Sequence, residues 1–168
     1  ILEHNPETRH TGMSLFIVAG PDGFHKIYLI EGTFNAKVFK KCLQLLHEEF
    51  PKERFVLILD NSRVHHAVKI KNWLIRLSKL KKDFIRLEWL PAYCPNLNPV
   101  EFINNDFKGY LRRKALKTKD DVRKATKAYI TQLIEDDEEE TRQRIISFFK
   151  AKECNYAFTV FNNCNKSK

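Results

Sequence analysis

The chain has 168 residues, 43% hydrophobic and 30% charged, with a net charge of +9 and an isoelectric point near 9.4. That length fits one domain able to bury roughly 70% of its unfolded surface. No apolar run approaches the ~20 residues of a membrane-spanning helix, and Ile1-Leu2-Glu3-His4 lacks the basic and apolar regions of a signal peptide.

The basic balance suits a polyanionic partner, of which nucleic acid is the commonest. The only methionine is Met13, so the recorded chain reads as part of a longer one or a processed form. Cys42, Cys94, Cys154 and Cys164 form no C-x-x-C pair, and no histidine follows at zinc-finger spacing. They read as reduced thiols of an intracellular protein.

Met13 to Ala19 is apolar and partly β-branched, Gly20-Pro21-Asp22-Gly23 is a turn, and Phe24 to Ile30 returns, which predicts a hairpin with Asp22 structural in its turn. Asn35 fits a helix N-cap. Val38, Phe39, Cys42, Leu43, Leu45 and Leu46 then recur at helical spacing until Pro51. Phe55-Val56-Leu57-Ile58-Leu59 is an unbroken apolar run, the pattern of a strand buried on both faces at the centre of a helix-covered sheet. Residues 65 to 80 predict a helix whose apolar face is Val68, Trp73, Leu74, Leu77 and Leu80. Phe84 to Trp89 predicts a short strand, and Leu90 to Leu97, with two prolines, a rigid loop.

A helix is expected from the N-cap Asn98, with Pro99 first and Glu101 third, to about Leu116. Further helices are expected over about 119–134 (Val122, Ala125, Tyr129, Ile130, Leu133) and 141–152. Between them, Glu135 to Glu140 reads as a solvated helix end or loop. The order is a mixed α/β sheet flanked by helices, in one domain over 1–160 with a frayed polar tail over 161–168.

Asp60 ends the central apolar run, and ligands collect outside the carboxyl ends of strands in open α/β sheets. The plainer alternative is that Asp60 or Asn61 turns the chain and caps the next helix. Glu101 lies in the first turn of the helix entered from the neighbouring strand. Its plainer role is a capping box with Asn98. In a parallel pair the two strand ends lie on the same side, so Asp60 and Glu101 can face one gap. Carboxylates around such a gap repel unless cations sit between them, and Mg²⁺ or Mn²⁺ suit oxygen ligands.

Asp60-Asn61-Ser62-Arg63-Val64-His65 resembles the D-N-x-x-x-H block of the mariner-like DDE transposases, a superfamily that includes bacterial insertion-sequence enzymes. Leu90-Pro91-Ala92-Tyr93-Cys94-Pro95-Asn96-Leu97-Asn98-Pro99-Val100-Glu101 resembles that superfamily's L-P-x-Y-S-P-x-L-N-P-I-E block, and Glu31 to Ala36 its stretch after the hairpin. The resemblance covers roughly residues 11–115. It implies an RNase H-like fold, with Asp60 and Glu101 as the second and third metal-binding carboxylates of a triad. It also implies Mg²⁺-dependent cleavage at transposon ends followed by strand transfer, and a homodimer on DNA. Cys94 stands where the family has Ser, Asn96 where it has an acidic residue and Asn104 where it has Trp. The interval from Asp60 to Glu101 is longer than in animal mariner elements, with Lys-rich extra length around 78–83. No Asp precedes Asp22, so the first carboxylate is either Glu3 or an Asp upstream of Ile1.

His65 matches the family block and is placed to orient a phosphate or the nearby loop, whereas His66 reads as surface. Asp106 is five residues past Glu101 and points elsewhere around the helix. Asp83 and Glu88 read as surface ion pairs. Lys108, Arg112, Arg113, Lys114 and Lys117 form the favoured DNA-backbone group, and Lys69, Lys71, Arg76, Lys79, Lys81 and Lys82 a second. The rival to an active enzyme is a transposase relic that holds DNA without cutting it. A doubly wound small-molecule protein is disfavoured because no Gly-rich phosphate loop follows any strand. The expected setting is intracellular and with DNA, in the nucleus of a eukaryote or the cytoplasm of a bacterium.

Overall fold

The computed structural model describes residues 13–80, 85–135 and 138–166. Strand β1 (Met13–Ala19) and strand β2 (His25–Glu31) form the expected antiparallel hairpin, in register from Met13 with Glu31 to Ala19 with His25. Its turn depends on Gly23, at φ 88°, where a Cβ would meet the Arg142 side chain at 2.2 Å. Asp22 is structural as expected: its Oδ1 accepts from Phe24 N–H at 3.1 Å, while its carbonyl accepts from Arg142 Nε at 2.9 Å.

Helix α1 (Ala36–Glu49) starts at Asn35, whose side chain accepts from the N–H groups of Lys37 and Val38. Strand β3 (Phe55–Leu59) leads to helix α2 (Val68–Leu80), and strand β4 (Ile85–Trp89) pairs parallel with β3. A single 3₁₀ turn (Pro95–Leu97) then precedes helix α3 (Val100–Arg112). Helices α4 (Lys119–Glu135), α5 (Glu138–Phe149) and α6 (Tyr156–Lys166) complete the chain, with a 3₁₀ turn (Lys152–Cys154) before α6.

Period-two alternation along β1 sorts its side chains into two cores. Phe16 and Val18 pack with Phe39, Leu43 and Leu46 of α1, Leu57 and Leu59 of β3, Ile70 of α2 and Ile85 of β4. Leu15 and Ile17 pack on the other side with Val100, Ile103 and Phe107 of α3, Tyr129 of α4, and Ile145 and Phe149 of α5. The hairpin is therefore the middle layer between α1–α2 and α3–α6, a three-layer α/β arrangement.

Several expectations need correction. Among the described residues the strands form two two-stranded sheets, β1–β2 and β3–β4, and not one mixed sheet. The strand covered on both faces is β1. In β3 only Leu57 and Leu59 are buried, because the β3–β4 pair has core on one side only. Val56 and Ile58 line an open groove of about 450 Å³ on its other side, with Trp89, Leu97, Tyr156 and Val160.

Helix α2 starts at Val68 and not at 65. Val68 is 70% exposed and Ile70 carries the buried position. Helix α3 stops at Arg112, four residues short of Leu116. The tail expected to fray is helical as far as Lys166. Glu3, Asp83, Phe84, Lys81 and Lys82 lie outside the described residues.

Candidate active site

Asp60 immediately follows β3. Leu90 N–H donates to Leu59 O at 2.8 Å, carrying the parallel ladder one residue past β4. Asp60 and the Pro-rich loop to Glu101 therefore leave the sheet from the same end. The Asp60 carboxylate is held from within the protein. Its Oδ1 accepts from Ser62 N–H at 3.3 Å and lies 2.8 Å from His65 Nδ1. That same nitrogen is 3.2 Å from the Asp60 carbonyl oxygen. Both partners of Nδ1 are acceptors, so Nδ1 carries the proton.

His65 is 1% exposed and its ring rests on Phe39, 4.7 Å between centroids. It is thus fixed by packing and, as expected, holds the nearby loop, through the carbonyl and the carboxylate of Asp60. His66 is not simply surface. Its Nε2 lies 2.5 Å from Asn61 Oδ1, and its ring lies against Trp89, tilted by 30° with 4.1 Å between centroids.

Glu101 sits in the first turn of α3, where the helix dipole favours an anion. Asn98 is buried and its Oδ1 accepts from Val100 N–H at 3.1 Å, but the helix starts one residue later than expected: Pro99 stands at the N-cap, Val100 is first and Glu101 second. The Asn98 N–H donates to Pro95 O at 2.9 Å, which takes the donor a capping box would have offered Glu101. Glu101 is partly buried and its Oε1 is shielded from solvent.

The loop between the strand and Glu101 is braced by the C-terminal segment. Cys154 Sγ lies 3.4 Å from Asn96 O, and Tyr156 O–H donates to Leu97 O at 3.0 Å. Burial pushes the Tyr156 hydroxyl up to about 12. Tyr93, at φ 60°, is fully exposed. A non-glycine residue in that region costs of order 1 kcal/mol, and such outliers gather at functional sites. Sequence patterns gave no signal for these contacts, which join residues 58 and 59 positions apart.

Asp106 points away from Glu101, as expected. Its Oδ2 accepts from Tyr129 O–H at 2.7 Å and pairs with Arg144, tying α3 to α4 and α5. Glu88 pairs with Arg86 at 2.8 Å on the surface. On α3, Lys108 and Arg112 follow Glu101 by seven and eleven residues and so share its helical stripe. Arg113 and Lys114 lie at the helix end and are exposed, Lys114 Nζ standing 4.8 Å from the centre of the Tyr110 ring.

Among the described residues no group of three or more His, Cys, Asp or Glu side chains could hold a metal ion. Asp60 and Glu101 are carboxylates of the kind that suits Mg²⁺, which is ordinarily held by one or two carboxylates with waters and substrate phosphates. The hydrogen bond that His65 Nδ1–H donates to Asp60 Oδ1 is of the kind that orients metal-binding carboxylates. Among the described residues no helix is long and apolar enough to cross a membrane.

No curated protein matches the chain. The crystal structure of the Mos1 strand transfer complex matches it with a TM-score of 0.52 at 18% identity, over 94% of this chain and 46% of that one. The chain thus spans about half the length of that protein, and the likeness is one of fold. A family model for DDE superfamily endonucleases matches residues 3–123 and takes in both Asp60 and Glu101. Matched over most of its length by that model, the chain belongs to the DDE superfamily endonucleases.

Proposed function

We propose that this chain is the catalytic core of a mariner-like DDE transposase, built on an RNase H-like fold, in which Asp60 and Glu101 are the metal-binding carboxylates. The observation that carries this reading is that Asp60 and the loop leading to Glu101 leave the β3–β4 pair at the same end. Asp60 is fixed by His65, and Glu101 is presented by a braced loop and a capped helix start. The DDE family match supports a metal-dependent endonuclease, and the Mos1 strand transfer complex supports DNA as the partner.

Asp60 and Glu101 would hold Mg²⁺ or Mn²⁺, which supplies charge neutralisation at the scissile phosphate and activation of the attacking oxygen. The protein's own residues do the rest. His65 keeps the Asp60 carboxylate oriented and leaves its outer side for ligand. Lys108 and Arg112, on the Glu101 stripe, and Arg113 and Lys114 at the helix end contact the DNA backbone and set its position without reading sequence. Cleavage uses water as the attacking group and strand transfer a 3′-hydroxyl. Both are displacements at phosphorus that one site can serve. A homodimer on DNA brings two transposon ends together.

The test is nicking of an end-labelled duplex in Mn²⁺ by the parent chain, Asp60→Asn and Glu101→Gln. The parent nicks, and each variant falls to background while its circular dichroism is unchanged. Equal nicking by all three would remove the two carboxylates from the chemistry. DNA binding without nicking by the parent would favour the non-cutting relic.

A further inference from the structure

We infer that Trp89, backed by His66, forms a stacking platform for an unpaired DNA base beside Asp60. Trp89 is the register partner of Leu59, the residue before Asp60. The His66 ring lies against the indole, 4.1 Å between centroids with 30° between planes. His66 is itself held by Asn61 Oδ1, the side chain next to Asp60. The aromatic pair is therefore fastened to the same strand end as the carboxylate.

A buried indole in this position would be packing alone, but Trp89 keeps 36% of its surface open. Four residues on, Tyr93 is fully exposed on a backbone in the left-handed region, so a second aromatic ring is held out from the loop that follows Trp89. Exposed aromatic rings in a basic protein are the means by which single strands are bound without sequence preference, because every base has a π-face. The surroundings favour a nucleic acid over an apolar peptide. The chain carries +9, and exposed Arg63 and Lys69 flank His66 in sequence. A strand opened at a cleavage site presents such unpaired bases. This inference rests on the transposase reading for its substrate, not for its geometry.

The test uses the fact that Trp73 and Trp89 are the two tryptophans. In Trp73→Phe, Trp89 is the sole reporter. Its emission is recorded against a short single-stranded oligonucleotide, an abasic strand of equal charge and a blunt duplex, with binding followed in parallel by anisotropy. The expected result is quenching of at least half by the single strand and little by the abasic strand. Trp89→Ala, made in the parent chain, should weaken single-strand binding roughly 5- to 100-fold, and Trp89→Phe should largely retain it.

Saturated binding with unchanged emission overturns the platform, as does equal quenching by the abasic strand, or no binding of any strand. Nicking is scored separately. A silent Trp89 in a chain that nicks through Asp60 and Glu101 sinks the platform alone, whereas base-dependent quenching in a chain that never nicks sustains it and sinks the nuclease reading.

Discussion

His65 is the residue on which the geometry of Asp60 depends. It is buried, packed on Phe39 and bonded through Nδ1 to the carboxylate. His65→Ala opens a cavity and is expected to cost about 2–4 kcal/mol of stability, measured by urea unfolding, and to lower nicking even where the protein remains folded. His65→Asn can keep one donor near the carboxylate and should recover part of the activity. The thiols make a second check. Burial pushes Cys42 from 9.0 up to about 11 and also raises Cys154, whereas Cys164 is exposed. At pH 8 a disulfide reagent should modify Cys164 first and leave Cys42 untouched until the chain unfolds. Equal rates for Cys42 and Cys164 would contradict the core packing.

Asp60 was legible because it ends an apolar run, and Glu101 because a proline-rich loop and an Asn cap announce its helix. The partners of Asp60 were only half legible. A motif marks His65 but says nothing of where its ring goes, and the contact of His66 with Trp89 joins two strands' ends that no local pattern connects.

At the scale of elements, the link between the C-terminal segment and the loop before Glu101 is the feature to probe. Tyr156→Phe removes the bond to Leu97 O and should cost about 1 kcal/mol. Because the bond braces the loop that leads to Glu101, nicking should fall more than DNA binding. A parallel fall in both would indicate general loosening.

Tyr156 also carries a pH signature. Its folded value is raised from 10.0 to about 12 by burial, so its contribution is complete below about pH 10 and fades as pH climbs to 12. Thermal melts of the parent should drop across that window, and those of Tyr156→Phe should drop less. The start of α1 was readable because the Asn35 side chain caps it, and that of α3 to within one residue because Asn98 bonds its first N–H. The start of α2 was not, because Val68 continues the apolar pattern yet points to solvent while Ile70 turns inward. The last helix was missed because its second half is polar and Ala157 is its buried anchor.

For the whole molecule, the charge and the layered architecture act together. Two cores share the β1–β2 hairpin, and α3 rests on the hairpin while carrying Glu101 and the basic stripe. Each phosphate contact adds about 0.9 to the slope of log affinity against log salt on duplex DNA. Replacing Lys108, Arg112, Arg113 and Lys114 together by Gln should therefore flatten that slope by roughly 2–4 and weaken binding evenly across sequences. An unchanged slope would move the DNA to another face, with Lys69, Lys71, Arg76 and Lys79 next in line.

The α/β class was legible from alternating strand and helix patterns. The division of the described strands into two sheets was not, since strand pairing is set by contacts distant in sequence. In the proposed reading Asp60 and Glu101 line one cation site. The most direct measurement replaces Mg²⁺ with Fe²⁺, adds ascorbate and hydrogen peroxide, and maps where the hydroxyl radicals formed from the peroxide cut the polypeptide. Paired cuts are expected next to residues 60 and 101, suppressed by excess Mg²⁺ and removed at both places by Asp60→Asn. A cut at one position that persists without the other, or cuts elsewhere in the chain, would contradict it.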